Sequence, residues 1–165
     1  MEPQRPCPLC HRQDASRYLK VDDFQIVSCN KCRFVFLANP LDESQERKLY
    51  ETYNTELDLT TFGTADAPAD LQHAWQINDR RLRWLRQHRS TGRLLDVGCG
   101  RGLFLSQALA QGFDGEGVEI SHKAAQLASE FTGAVIHICN LEHGTPFDGP
   151  FDIITAWHVL EHFTE

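Results

Sequence analysis

The chain has 165 residues, enough for one ordinary domain and a small appendage, and carries a formal charge of −7. Its 41% hydrophobic and 24% charged residues are those of a globular protein and not of a disordered one. The acidic balance (pI about 5.6) argues against nucleic acid as a substrate, and no apolar run approaches membrane-spanning length or the core of a secretory signal. A soluble, cytoplasmic protein is expected, in a reducing compartment where clustered cysteines serve metals more often than disulfides.

Residues 1–38 hold cysteines, prolines and short β-type runs, "FQIVSC" and "FVFLA". Cys7 and Cys10 enclose two residues, as do Cys29 and Cys32, with residues 11–28 between the pairs. That is the spacing of a zinc ribbon, so these four cysteines are expected to hold one Zn²⁺ tetrahedrally. With every ligand position filled by protein, such a metal folds the segment and does no catalysis. Cys99 and Cys139 lack a pair.

Residues 39–91 read as a helical linker, or cap on the substrate side. Asp42 and Gln45 form a capping-box pattern at the start of "ESQERKLYETY". Tyr50 and Tyr53 stand at helical spacing, which suits packing residues and also a tyrosine pair facing substrate. "NTELDLTTFGTADAPAD" reads as a loop. Leu71, Trp75, Leu82 and Leu85 then fall on one face of a helix over "DLQHAWQINDRRLRWLRQHR".

From residue 92 to 165 strands and helices alternate: "RLLDV", "GLFLSQALAQG", "GEGVEI", "SHKAAQLASEF" capped by Ser121, "AVIHI" and "FDIITAW". This predicts an α/β fold with a parallel, Rossmann-like sheet. A glycine-rich turn after a parallel strand lets the backbone approach a ligand, beside the open N–H groups of the next helix. Here the turn reads "DVGCGRG", with Asp96 at the strand end and glycines alternating singly, unlike the rhythm of dinucleotide fingerprints. Glu119 ends the second strand, where a carboxylate can accept both hydroxyls of a ribose. An NAD domain is the alternative, disfavoured by Asp96 and by the glycine spacing.

"LLDVGCGRG", "GVEIS", "CNLE" and "FDIITAWHVLEHF", in this order between Leu94 and Phe163, resemble the motifs of class I S-adenosylmethionine-dependent methyltransferases. The resemblance implies S-adenosylmethionine as cofactor, with Gly98, Cys99, Gly100 and Gly102 against its methionyl part. Asp96 would fix that turn and the cofactor's amino group, and Glu119 the ribose. Ile120, Asn140 and Leu141 would line the adenine, and Ala156, Trp157 and His158 would close over the methionine. Asn140 departs from the aspartate many relatives carry. The ribbon followed by "KLYETY" further resembles a bacterial subgroup acting on sugars, polysaccharide precursors and other small molecules. The implied activity is methyl transfer to such an acceptor. The family's sheet has seven strands, and residues 92–165 supply the first four, in the order 3-2-1-4. An incomplete domain is therefore expected, and an inactive adenosine-binding half-domain carrying a ribbon for interactions is the alternative.

"HVLEH" also matches the H-x-x-E-H pattern of an inverted zinc metalloprotease, which needs His158 and His162 on one helical face with Glu161 beside them. The preceding strand and the absence of a third ligand argue against it. In the methyltransferase reading, His162 or His158 is the candidate general base and Glu161 orients it.

Overall fold

The computed structural model describes residues 5–42, 44, 45, 48, 49 and 58–162, and Tyr50 and Tyr53 lie outside them. The chain forms two compact units, Met1–Glu46 and Arg47–Glu165. In the first, β1 (Ala15–Val21), β2 (Phe24–Cys29) and β3 (Val35–Leu37) make an antiparallel sheet in that order. Alternation sends Ala15, Val27, Cys29 and Phe36 to one face, where they bury with Cys7 and Ala38. The expected capping box is present: the Gln45 N–H donates to Asp42 Oδ1 at 2.9 Å and the Asp42 N–H donates to Gln45 Oε1 at 3.0 Å.

The second unit contains α1 (Ala69–His88), β4 (Arg93–Val97), α2 (Leu103–Ala110), β5 (Asp114–Glu119), α3 (His122–Thr132), β6 (Ile136–Ile138) and β7 (Ile153–Ala156). The strands are parallel in the order β6-β5-β4-β7, which is the 3-2-1-4 order expected from the sequence. Apolar residues on β4 bury both faces. Leu94 joins Leu82 and Leu85 of α1 and Phe104, Leu105 and Ala108 of α2, while Leu95 and Val97 pack with Val118. Ser121 caps α3, its hydroxyl accepting from the Ala124 N–H at 3.2 Å, and Gly133 closes the helix in a left-handed conformation.

Two expectations need correction. Leu71, Leu82 and Leu85 are buried on one face of α1, but Trp75 is 38% exposed. Its ring packs edge-on against Phe62, 5.2 Å away, so Trp75 serves the segment before α1 and not the sheet. The last strand is also shorter than "FDIITAW". Asp152 turns back to accept the Arg93 N–H through Oδ2 at 2.9 Å, and Phe151 stacks under the Arg93 guanidinium. Among the described residues no helix is long and apolar enough to cross a membrane.

Candidate cofactor site and candidate metal centre

Because the strands are parallel, the carboxyl ends of β4, β5, β6 and β7 share one edge of the sheet, the edge at which open α/β sheets bind ligands. The turn after β4 is built from backbone that only glycine adopts readily: φ is +64° at Gly98, +55° at Gly100 and +79° at Gly102. The glycines meet different surroundings. A Cβ on Gly98 would stand 2.4 Å from the Val159 side chain, and one on Gly102 would stand 2.7 Å from Thr132 of α3. A Cβ on Gly100 would meet nothing within 4 Å. Close packing explains the first and third glycines, whereas Gly100 borders open space.

Glu119 braces this turn. It is buried, and its Oε2 accepts the Gly100 N–H at 2.9 Å while Oε1 accepts the Ser121 N–H at 2.9 Å. A carboxylate offers about four lone-pair sites, so each oxygen keeps one for a further donor. The edge is sealed beneath by the Cys99 N–H donating to the Val118 carbonyl at 3.0 Å. Cys99 is buried, and burial, helped by Asp96 and Glu119, pushes its thiol far above the usual range, so it is an inert packing group. Ile120 is exposed beyond Glu119, and Asn140 opens the short 3₁₀ turn Leu141–His143 after β6. These residues line the part of the edge next to β5.

On the other side, Asp96 of β4 is buried, and its Oδ1 accepts the Thr155 hydroxyl from β7 at 2.7 Å. Burial pushes its carboxyl up to about 7, opposed first by Thr155 and then by the Arg81 guanidinium, while Glu119 adds to the rise. Arg81 comes from α1. It donates to Asn78 Oδ1 at 3.1 Å and lies 4.2 Å over the Trp157 ring, just past Ala156. Trp157 packs edge-on against Phe104, and its buried indole N–H has no hydrogen-bond partner among the described residues.

The "HVLEH" segment does not form the helical face that a two-histidine metal site needs. His158 takes a left-handed backbone (φ 58°), and only the 3₁₀ turn Leu160–His162 follows. His158 Nδ1 and Glu161 Oε1 approach to 3.5 Å on the surface. Val159 packs toward Gly98, so the segment runs beside the glycine turn.

In the first unit Cys7, Cys10, Cys29 and Cys32 do come together, their sulfurs all within 4.8 Å of one another. Both knuckles fold alike. The His11 N–H bonds back to the Cys7 carbonyl at 2.8 Å and the Arg33 N–H to the Cys29 carbonyl at 2.9 Å, with φ 57° and 65° at the two turning residues. The sulfur separations of 3.6 Å (Cys7–Cys32) and 3.5 Å (Cys10–Cys29) are too long for a disulfide. They lie near the edge of about 3.8 Å that a tetrahedron of Zn–S bonds requires. Backbone N–H groups, that of Cys32 first, pull the Cys29 thiol down to about 6. At Cys32 the Phe34 N–H pulls down, but burial and the Cys10, Cys7 and Cys29 sulfurs push the thiol up to about 12. A divalent cation would relieve that crowding of charge, so the donor set fits a metal. Among the described residues this is the one such gathering of His, Cys, Asp and Glu ligand atoms.

The parallel sheet and the helices beside it agree with the comparison to known families. Residues 69–165 match the family described as "Methyltransferase domain". The chain belongs to this family. Among curated proteins, the methyltransferase domain is similar to the ubiquinone biosynthesis O-methyltransferase of Aromatoleum aromaticum, 30% identical over 105 residues that cover 59% of this chain and 45% of that protein. The enzyme of the same name from Azoarcus sp. is 33% identical over 114 residues, covering 57% and 48%. The chain thus spans about half the length of the curated relatives it matches. Among solved structures, the magnesium protoporphyrin IX methyltransferase of Synechocystis PCC 6803 with bound SAM shares the fold, with a TM-score of 0.56 at 18% identity over 77% of this chain and 66% of that one. The fold is that of class I SAM-dependent methyltransferases.

Within this methyltransferase domain, sequence reasoning missed Arg81 and Thr155. Arg81 lies among other arginines on what reads as the solvated side of α1, one residue before the buried Leu82. Thr155 sits inside an apolar run. The only signal for Thr155 was a polar residue at a position the periodicity buries, and Asn78, buried on α1, carried the same signal; nothing in the local pattern marked Arg81.

Proposed function

We propose that the chain forms the cofactor-binding part of a methyltransferase that transfers the methyl group of S-adenosylmethionine to a hydroxyl of a small molecule. The observation that carries this reading is the pair of buried carboxylates, Asp96 and Glu119, at the carboxyl ends of adjacent parallel strands, flanking a turn whose Gly100 opens to space. When bound, the cofactor supplies a methyl group made electrophilic by its sulfonium. Glu119 would accept ribose hydroxyls on the lone pairs left by its two backbone bonds. Ile120, Asn140 and Leu141 would line the adenine. Gly98, Cys99, Gly100 and Gly102 would present backbone to the methionyl part, with Asp96 facing its ammonium and Ala156 and Trp157 on its far side. Arg81, the cation that acts on Asp96, would balance the cofactor's carboxylate.

A hydroxyl acceptor must lose its proton as its oxygen bonds to the methyl carbon and the carbon–sulfur bond breaks. His162 or His158 would take that proton, oriented by Glu161. The O-methyltransferase names of the relatives support a hydroxyl acceptor, and a sugar or polysaccharide precursor is one member of that class. Cys7, Cys10, Cys29 and Cys32 would hold one structural Zn²⁺, which suits a cytoplasmic protein whose thiols stay reduced. Isothermal titration tests the reading: S-adenosylhomocysteine should bind and NAD should not, and the reverse preference would reject it. A second reading, cofactor binding without turnover, is favoured by the exposure of His158 and Glu161, whose side chains are 81% and 56% accessible. Binding with no methyl transfer to any hydroxyl acceptor would select it.

A further inference from the structure

Burying a carboxylate is unfavourable unless something compensates it. Asp96 of β4 stands in register with Thr155 of β7, and both are buried. The Thr155 hydroxyl lies 2.7 Å from Asp96 Oδ1 and 3.4 Å from the Leu95 carbonyl, so its single proton goes to the carboxylate. Valine would fill the same strand position with almost the same shape, but it could not donate. A threonine directly opposite the acid therefore has a chemical consequence that its neighbours Ile153 and Ile154 cannot have.

We propose that Thr155 is a positioning residue for cofactor recognition: by occupying Oδ1 of Asp96 it fixes the carboxylate and leaves Oδ2 for a cationic group of the ligand. The proposal rests on the cofactor reading above and adds a residue to it. The titratable and charged groups acting on Asp96 come from three further places: Arg81 on α1, Glu119 on β5, and Cys99 in the glycine turn. Cys99 stays neutral, and Glu119 opposes ionisation of its neighbour. Only Thr155 and Arg81 favour the carboxylate over the acid, against burial that pushes it up to about 7. An ammonium-bearing ligand prefers the ionised form, so affinity should rise as pH increases through that value. Loss of the hydroxyl should move the inflection further upward, because a hydrogen bond to the charged form has been removed.

The test uses the whole chain in two measurements. Carboxyl-carbon NMR of the ligand-free protein follows the Asp96 titration, and calorimetry from pH 6 to 9 follows S-adenosylhomocysteine binding. Thr155→Val should raise both inflections by about one to two pH units and weaken binding about tenfold at pH 7. Thr155→Ser should restore both. Thr155→Ala removes the same hydroxyl with less demand on packing and replaces the valine variant if that one does not fold. Identical Asp96 titrations in the wild type and the folded variant would overturn the positioning role. A shifted titration in a protein that never binds S-adenosylhomocysteine would instead overturn the cofactor reading, and the recognition role with it.

Discussion

Glu119→Gln is the most informative perturbation of the site. In the wild type, Glu119 Oε2 accepts the Gly100 N–H and Oε1 accepts the Ser121 N–H, each at 2.9 Å. A carboxamide keeps one oxygen and turns its NH₂ toward one of those two N–H groups, donor against donor. Losing an acceptor for a buried N–H costs about 1–3 kcal/mol, which denaturant unfolding would read as a lower midpoint. The same change removes the charge and one acceptor from the ribose site, worth about 1.5–3 kcal/mol, or roughly a ten- to hundredfold weaker affinity for S-adenosylhomocysteine. Glu119→Ala would take the acceptor from both N–H groups, about 2–6 kcal/mol, a large part of a domain's total stability of about 5–15 kcal/mol. The glutamine variant is therefore the one to titrate. Calorimetry on the folded variant decides the matter. Lower stability with unchanged affinity would leave Glu119 as a brace for the turn and refute its contact with the ribose.

Purified protein should carry about one zinc per chain by metal analysis, and Cys29→Ser should lose it; metal-free protein from a chelator-free preparation would sink the ribbon assignment. Asp96→Asn should stabilise the ligand-free fold while abolishing S-adenosylhomocysteine binding. Its carboxyl is raised from 3.8 to about 7, so the folded state loses stability as pH climbs through that interval, and the variant's advantage should grow across it to roughly 1–4 kcal/mol above pH 7. An advantage that shrinks with rising pH would contradict the buried-acid account. In a protein that carries this chain together with the remaining strands of the family's sheet, His162→Ala should lower methyl transfer about a hundred- to ten-thousandfold and leave cofactor affinity within about twofold. A loss of only a few-fold would make His162 a lining residue.

The sequence reveals those features that depend on local pattern. Alternation and 3.6-residue periodicity located the helices and the parallel strands, the cysteine spacing foretold the gathered sulfurs, and Ser121 and Gly133 marked both ends of α3. What stayed hidden depends on contacts between distant segments. Thr155 and Asp96 are 59 residues apart, so nothing near either announces their hydrogen bond. Trp75 satisfied the helical stripe, yet its large ring found a partner in Phe62 before the helix instead of the sheet. The left-handed backbone at His158 broke the helix that "HVLEH" suggests, because Val159 must turn in toward Gly98. Even the glycines proved mixed in purpose. Spacing alone could not distinguish Gly100, which borders open space, from Gly98 and Gly102, which make room for Val159 and Thr132.

The central claim is that a ligand with a ribose and a cationic amino-acid end lies along the carboxyl edge of β4 and β5. Amide NMR during titration with S-adenosylhomocysteine tests it most directly, since Gly100 and Ser121 each donate to the carboxylate that would hold the ribose. Saturable shifts should appear at Gly98, Gly100, Ser121 and Leu141, with NAD moving none of them. Saturable binding that leaves the Gly100 and Ser121 amides unmoved would contradict the account.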